Sequence, residues 1–352
     1  MLKRLTLAVL LLTLIAGSGR TRVFAAPFES KKIIIDTDPG VDDAMAILLA
    51  LNSPEVDVKA ITVVAGNVTE RQGLENALKL VSLAKRCDIP VAGGAQHPLV
   101  QKLTTAEFFH GQNGLGNVEL PPAACSADSR FASDLIIALV HQHPHEITLV
   151  PIGPLTNVAL AVSRDPSIVP LVKQVVIMGG SISGGNATAA AEANIFNDPE
   201  AARVVFTAGW SLTMVGLNVT EKTLFTHTHL SEIRKTHGPE NDFADRVLTF
   251  RLGVADRLGL TGTPMHDPLA MGVVIDPSLI TTQDMRVEIE TRGELTRGET
   301  VANRHNSTDH LVLRGDRYMV DNIERAEPNV HVAVGVDAER FLHLLVSRLA
   351  GK

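Results

Sequence analysis

With 352 residues, of which 45% are hydrophobic and 20% charged, the chain can bury a sizeable core and lies outside the compositions of disordered and fibrous proteins. Lys and Arg number 32 against 39 Asp and Glu, a net charge of −7, and no basic run offers a footprint for a phosphate backbone, which argues against nucleic acid as a partner. Two cysteines, Cys87 and Cys125, exclude a disulfide-stapled scaffold and a cysteine-ligated metal site, and leave open whether they form one bridge.

Lys3 and Arg4 precede an uncharged apolar stretch from Leu5 to Ala16, followed by small residues and Val23-Phe24-Ala25-Ala26. This order predicts a cleaved secretory signal peptide over residues 1–26. Gly17-Ser18-Gly19-Arg20 interrupts the run well short of the roughly 20 apolar residues a membrane span needs. Cleavage would remove Lys3, Arg4, Arg20 and Arg22 and no acid, taking the charge from −7 to −11. The expectation is a periplasmic or secreted acidic protein, with one domain over 31–352 and no stable membrane insertion.

From residue 31 short apolar runs alternate with helical periodicity, the pattern of strands joined by crossover helices. Ile33-Ile34-Ile35 reads as a buried strand running into the acidic turn Asp36-Thr37-Asp38-Pro39-Gly40-Val41-Asp42-Asp43. Ala44, Ile47, Leu48 and Leu51 then fall on one helical face. Further strands are expected at 60–64, 147–150, 175–178 and 212–215, with helices over 70–85, 155–164 and 198–208 between them. A polar helix-and-loop insertion fills 220–265, an apolar helix covers 268–275, alternation over 285–335 predicts extra strands, and an amphipathic helix spans 338–349. The fold class is α/β: a mostly parallel central sheet flanked by helices, open and Rossmann-like, with extra C-terminal strands and a helical insertion. In such sheets ligands bind beyond the carboxyl ends of the strands. That edge collects the acidic turn, Gly66-Asn67, Ile152-Gly153, Gly179-Gly180 and Gly216-Leu217-Asn218.

Asp36, Asp38, Asp42 and Asp43 in one turn repel one another unless a positive charge sits among them. Oxygen ligands of this kind suit a hard divalent cation, calcium or magnesium. A lone aspartate there would be read as complementing the helix dipole; four reverse that preference. A strand-end D-x-D also occurs in phosphatases that form an aspartyl-phosphate, a competing reading against which Pro39-Gly40 and Asp42-Asp43 weigh. Neither a Walker A loop nor a G-x-S-x-G elbow is present.

The run from Asp36 to Ala44 resembles the N-terminal signature of the inosine–uridine-preferring nucleoside hydrolases. The resemblance continues in order through Asn67, His110-Gly111 with Gly114-Leu115-Gly116, Gly153-Pro154-Leu155-Thr156-Asn157, Met178-Gly179-Gly180, Gly185-Asn186-Ala187-Thr188, Glu192-Ala193-Asn194 and His266-Asp267-Pro268. It implies calcium-dependent hydrolysis of the N-glycosidic bond of ribonucleosides, a role in purine and pyrimidine salvage, and a homodimer or homotetramer. By resemblance, Asp38, Asp43, Asp267 and the carbonyl of Ile152 would hold calcium, and Asp38 would take the proton of a water on that metal. Asp42, Asn67, Asn194 and Asp267 would bind the ribose 2′- and 3′-hydroxyls, Asn186 and Glu192 the 5′-hydroxyl. Asp36 would orient its neighbours from behind. An oxocarbenium-like transition state calls for such a ring of oxygen acceptors.

Taken singly, these residues have plainer explanations. Asn67 fits a helix cap or turn, Glu192 and Asn194 fit the solvated face of a strand, and His266 fits a structural histidine before a helix. The chain also departs from the family pattern in carrying Ala193 between Glu192 and Asn194, and in having one tyrosine, Tyr318, and one tryptophan, Trp210. The region near 240–260 therefore lacks a tyrosine to place over the base. His266 is the expected proton donor to the leaving base and His110 its orienting partner. The alternative outside catalysis is an exported protein that binds nucleosides without turnover.

Overall fold

The computed structural model describes residues 30–303 and 327–351. Residues 1–26, where a signal peptide is expected, and Tyr318 lie outside the described residues. The chain opens with β1 (Lys31–Thr37), α1 (Val41–Leu51), β2 (Val56–Val63) and α2 (Glu70–Leu83), the last capped by the hydroxyl of Thr69. Then come β3 (Val91–Gly93), the short α3 (Glu107–His110), α4 (Ala132–Gln142), β4 (Thr148–Pro151), α5 (Thr156–Arg164) and β5 (Gln174–Met178). The second half carries α6 (Ala193–Asn197), α7 (Pro199–Phe206), β6 (Leu212–Val215), α8 (Leu217–Thr220), β7 (Leu224–Phe225), α9 (His227–Ile233), α10 (Pro239–Arg257), β8 (Thr263–Pro264) and α11 (His266–Ile275). It ends with β9 (Ile280–Met285), β10 (Val287–Ile289), β11 (Thr300–Ala302), β12 (Val330–Val336) and α12 (Ala338–Leu349).

Eight strands form one sheet in the order β3-β2-β1-β4-β5-β6-β12-β9. All neighbours pair parallel except β9, which runs antiparallel along β12 at the edge. Strands covered on both faces read as unbroken apolar runs, and the isoleucines of β1 show why. Ile33 and Ile35 face one core, with α1, α10, α11 and α12; Ile34 faces the other, with α4, α5 and α7. The first six strands in this order are wound in the dinucleotide-fold manner, so the order in which strands are added reverses between β1 and β4, where ligands are received in folds of this kind. The register pairs Asp36 with Pro151 there, which brings Asp38 alongside Ile152 and Gly153. The region 220–265 is the expected helical insertion, and the extra C-terminal strands are β9 to β12. Among the described residues no helix is long and apolar enough to cross a membrane. Cys87 and Cys125 form a disulfide, tying the segment after α2 to the loop before α4.

Candidate active site

The turn after β1 is built around two aspartates with opposite hydrogen-bonding states. Asp43, in the first turn of α1, folds its carboxylate back and accepts hydrogen bonds from Thr37 Oγ1 (2.6 Å), the Gly40 N–H (2.9 Å), the Asp38 N–H (3.3 Å) and Asn67 Nδ2 (3.0 Å). Asp38 accepts one bond, from the Asn67 N–H to Oδ2 at 2.7 Å, and its buried Oδ1 has no partner. Two glycines frame it: a Cβ on Gly66 would stand 2.0 Å from Asp38 Oδ2, and one on Gly153 would stand 2.6 Å from Oδ1. Asp36 points away from the cavity. Its Oδ1 accepts from Thr62 Oγ1 (2.6 Å) and Asn157 Nδ2 (2.8 Å), and burial pushes its pKa up to about 7.

Burial also raises the pKa values of Asp38, Asp43 and Asp267, and neighbouring carboxylates push the same way. Oxygens of Asp42, Asp43 and Asp267 lie within 4.8 Å of one another. Asp42 therefore joins Asp43 and Asp267 in the tightest group, while Asp38 stands beside it with a bare oxygen. Among the described residues no Lys or Arg pairs with any of the four; His110 Nδ1, 3.8 Å from Asp42, is the nearest basic group. Buried carboxylates this close are destabilising without a cation, and an all-oxygen set fits a hard divalent cation. The carbonyl of Ile152 accepts from Asn194 Nδ2 at 2.9 Å, which leaves its second lone pair for another partner.

The remaining residues surround a recess of about 70 Å³, lined by Asp42, Asn67, Asn186, Glu192, Asn194 and Asp267 among others. Glu192 and Asn194 correct the strand reading: they open α6, not a strand face, and both are buried. Glu192 caps that helix, accepting from the N–H groups of Asn194 (2.9 Å), Ile195 (3.1 Å) and, across the sheet edge, Gly180 (2.9 Å). Asn186 Oδ1 accepts from the Ala193 N–H at 3.0 Å. Asn67 is no helix cap: Thr69 caps α2, while the Asn67 backbone N–H donates to Asp38 and its Nδ2 to Asp43.

An outer chamber of about 590 Å³ shares Asp42, Asn67, Asn186, Asn194, His110 and His266 with the recess and adds Phe109, Phe196, Arg251 and Leu260. His110 Nδ1 accepts the Val41 N–H at 3.0 Å, which places its proton on Nε2. That contact requires Gly40, where a Cβ would come 2.3 Å from the imidazole. His266 Nδ1 meets Thr220 Oγ1 at 2.7 Å, leaving Nε2 for the cavity. Burial lowers the pKa of both histidines, against the pull of Asp42. Arg251 on α10 is the residue that sequence reading passed over. Its guanidinium lies 5.3 Å from the centre of the Phe109 ring, a cation–π contact.

Residues 33–343 match the family model described as inosine-uridine preferring nucleoside hydrolase. The chain is 41% identical over 319 residues to a pyrimidine-specific ribonucleoside hydrolase of Salmonella arizonae, covering 90% of this chain and 97% of that protein. It is also 41% identical over 324 residues to the inosine-uridine preferring nucleoside hydrolase of Crithidia fasciculata, with 91% and 97% covered. Among solved structures, a plant nucleoside hydrolase superposes with a TM-score of 0.84 at 38% identity, covering 92% of this chain and 99% of that one. A purine-preferring ribonucleoside hydrolase from Gardnerella vaginalis superposes with 0.83 at 35% identity, covering 91% and 98%.

Proposed function

Because the chain belongs to the inosine–uridine-preferring nucleoside hydrolase family, and is a glycosidase that hydrolyses ribonucleosides, we propose that it works with calcium held by Asp38, Asp43, Asp267 and the carbonyl of Ile152. The observation that carries this reading is the bare, buried Oδ1 of Asp38, set between two glycines among carboxylates that lack a counter-charge. A bound divalent cation would lower the pKa of water and orient the ribose diol. Asp38 takes the proton of the attacking water, and its Oδ1 is the free acceptor for it. Asp42, Asn67, Asn194 and Asp267 hold the 2′- and 3′-hydroxyls; Asn186 and Glu192 hold the 5′-hydroxyl. These acceptors stabilise the positive charge that spreads over the sugar ring as the bond to the base breaks. His266, through Nε2, faces the leaving base as its donor, and His110 orients it. The relatives' names span pyrimidine-specific, purine-preferring and inosine–uridine-preferring enzymes, so the proposed substrate is a ribonucleoside of either class.

Release of free base and ribose from uridine and inosine, before and after thorough chelation, tests the proposal. Loss of turnover on chelation and recovery on adding calcium is expected, and Asp38→Asn should cost at least about 10²-fold in kcat while retaining much of the affinity for ribose. Full activity in a demonstrably metal-free preparation defeats the calcium reading. Ligand-dependent stabilisation with no product would instead identify a binding protein.

We further propose that the protein is exported to the periplasm or beyond, after cleavage of residues 1–26, and acts as a homodimer or homotetramer. The Cys87–Cys125 disulfide supports export, since such bonds persist in oxidising compartments. N-terminal sequencing of protein from its native host should find a start between about residues 19 and 28; retention of Met1 in a soluble cytosolic pool would defeat this.

A further inference from the structure

We propose that Arg251 is a catalytic residue at the base end of the cavity, where its guanidinium meets the departing nucleobase and holds the negative charge the base acquires. The proposal rests on the hydrolase reading and adds a role for a side chain that reading does not use. Arg251 is the sole Lys or Arg among the residues lining the outer chamber, which it shares with Asp42, His110 and His266. By contrast Arg234 pairs with Asp245, Arg297 with Glu200 and Arg348 with Glu55. Among the described residues no carboxylate lies within ion-pair distance of Arg251; Asp42, in the same chamber, acts on it only from farther off, and the Phe109 ring is in contact with it. A guanidinium drawn into a cavity without a partner is costly unless something anionic arrives there.

Its position is fixed from behind. Phe250, the preceding residue on α10, packs so closely on Gly116 that a Cβ there would lie 3.0 Å from its side chain, which sets the register of the helix against the loop after α3. The Phe109 ring, carried by α3 beside His110, takes the guanidinium from the other side. A flexible cation is thereby held in one place, as electrostatic stabilisation of a transition state requires. A planar fork of N–H donors suits the oxo oxygens and ring nitrogens of a nucleobase anion better than an ammonium would. The substrate class this favours is a ribonucleoside whose base carries an oxo group, such as uracil or hypoxanthine.

The step balances without any redox change. The electron pair of the C1′–N bond goes to the base nitrogen, the water oxygen bonds to C1′, the base nitrogen takes up a proton from solvent before release, and Asp38 returns the proton it took from the water to solvent. Arg251 keeps its own proton throughout and supplies charge alone.

The test compares kcat/KM for uridine, inosine and p-nitrophenyl riboside in the wild type and Arg251→Met, with calcium present, together with the melting temperature and the pH profile. A loss of about 10²-fold is expected on the natural nucleosides, with less than about 10-fold on p-nitrophenyl riboside, whose phenolate leaves readily without help. The limbs of the pH profile should stay in place, since guanidinium does not titrate in the working range. Equal losses on all three substrates, no loss on uridine and inosine, or a displaced limb would overturn the proposal. Should Arg251→Met fail to fold, Arg251→Lys carries the same comparison, with the same ordering of smaller losses expected. A wild type that cleaves none of the three substrates would sink the hydrolase reading itself, an outcome distinct from each of these.

Discussion

His266 shows how one hydrogen bond decides what a residue can do. With Nδ1 engaged by Thr220 and with burial disfavouring the charged imidazole, Nε2 is the atom through which the proposed donation to the base would run. A donor of this kind matters most when the base leaves poorly. His266→Ala should therefore slow uridine and inosine by roughly 10²-fold, and spare p-nitrophenyl riboside. Similar slowing of all substrates would assign His266 to positioning the adjacent Asp267 instead. Thr220→Val offers a companion measurement: without the hydroxyl the imidazole is free to turn, and a smaller loss in the same substrate order is expected.

At the scale of elements, the site depends on strand ends that come close enough to touch. Gly66 follows β2 and Gly153 follows β4, and both leave room for Asp38 after β1. Gly66→Ala would drive a methyl group into Asp38 Oδ2, so the carboxylate must turn or the loop must shift. The expected result is at least about 10²-fold lower kcat, from displacement of the base, with an overpacking cost of about 1–3 kcal/mol in stability. Unchanged kcat in a folded variant would show that Asp38 does not need this placement. The requirement was invisible in the sequence, because it joins positions far apart along the chain, whereas β1 and α1 were legible from unbroken isoleucines and a clear helical face. The acidic turn and the order of motifs likewise pointed to the family and the cavity. The edge strand β3 and the helix α4 went unseen; three residues carry too little pattern, and Leu135, Ile136 and Val140 on α4 sit in a run too uniformly apolar to show one face. For Glu192 and Asn194 the plainer alternative of a strand face fails because a spacing of two fits the start of a helix equally well. Arg251 was hidden for the reverse reason: one charge on a polar helix reads as solvated until the fold turns it onto Phe109.

Across the whole molecule the acidic turn links metal, protons and stability. The pKa values of Asp36, Asp38, Asp43 and Asp267 all lie above their ordinary values in the folded chain, chiefly through burial. In metal-free protein the folded state therefore binds more protons than the unfolded state over the interval above pH 4, and stability falls as pH rises through the folded-state values. For Asp36 that decline begins near the ordinary carboxylate value and levels off above pH about 7. A cation reverses the balance at the other three, because it binds their ionised form and competes with protons. The gap in melting temperature between calcium-loaded and chelated protein should thus be narrow near pH 5 and widen toward pH 8. Calcium at 100 times its dissociation constant stabilises by about 2.7 kcal/mol, equivalent to about 5 °C in a large domain. Magnesium at equal concentration should widen the gap less, since a cluster of buried carboxylates with a carbonyl gives it neither its octahedron nor its retained waters. Asp36→Asn separates the two contributions: with Thr62 and Asn157 still donating to its oxygen, it should lessen the decline below pH about 7 in chelated protein and leave the calcium gap in place. A gap that stays constant from pH 5 to pH 8 would mean that the cation does not displace protons from these carboxylates, and the acidic turn would then need another explanation.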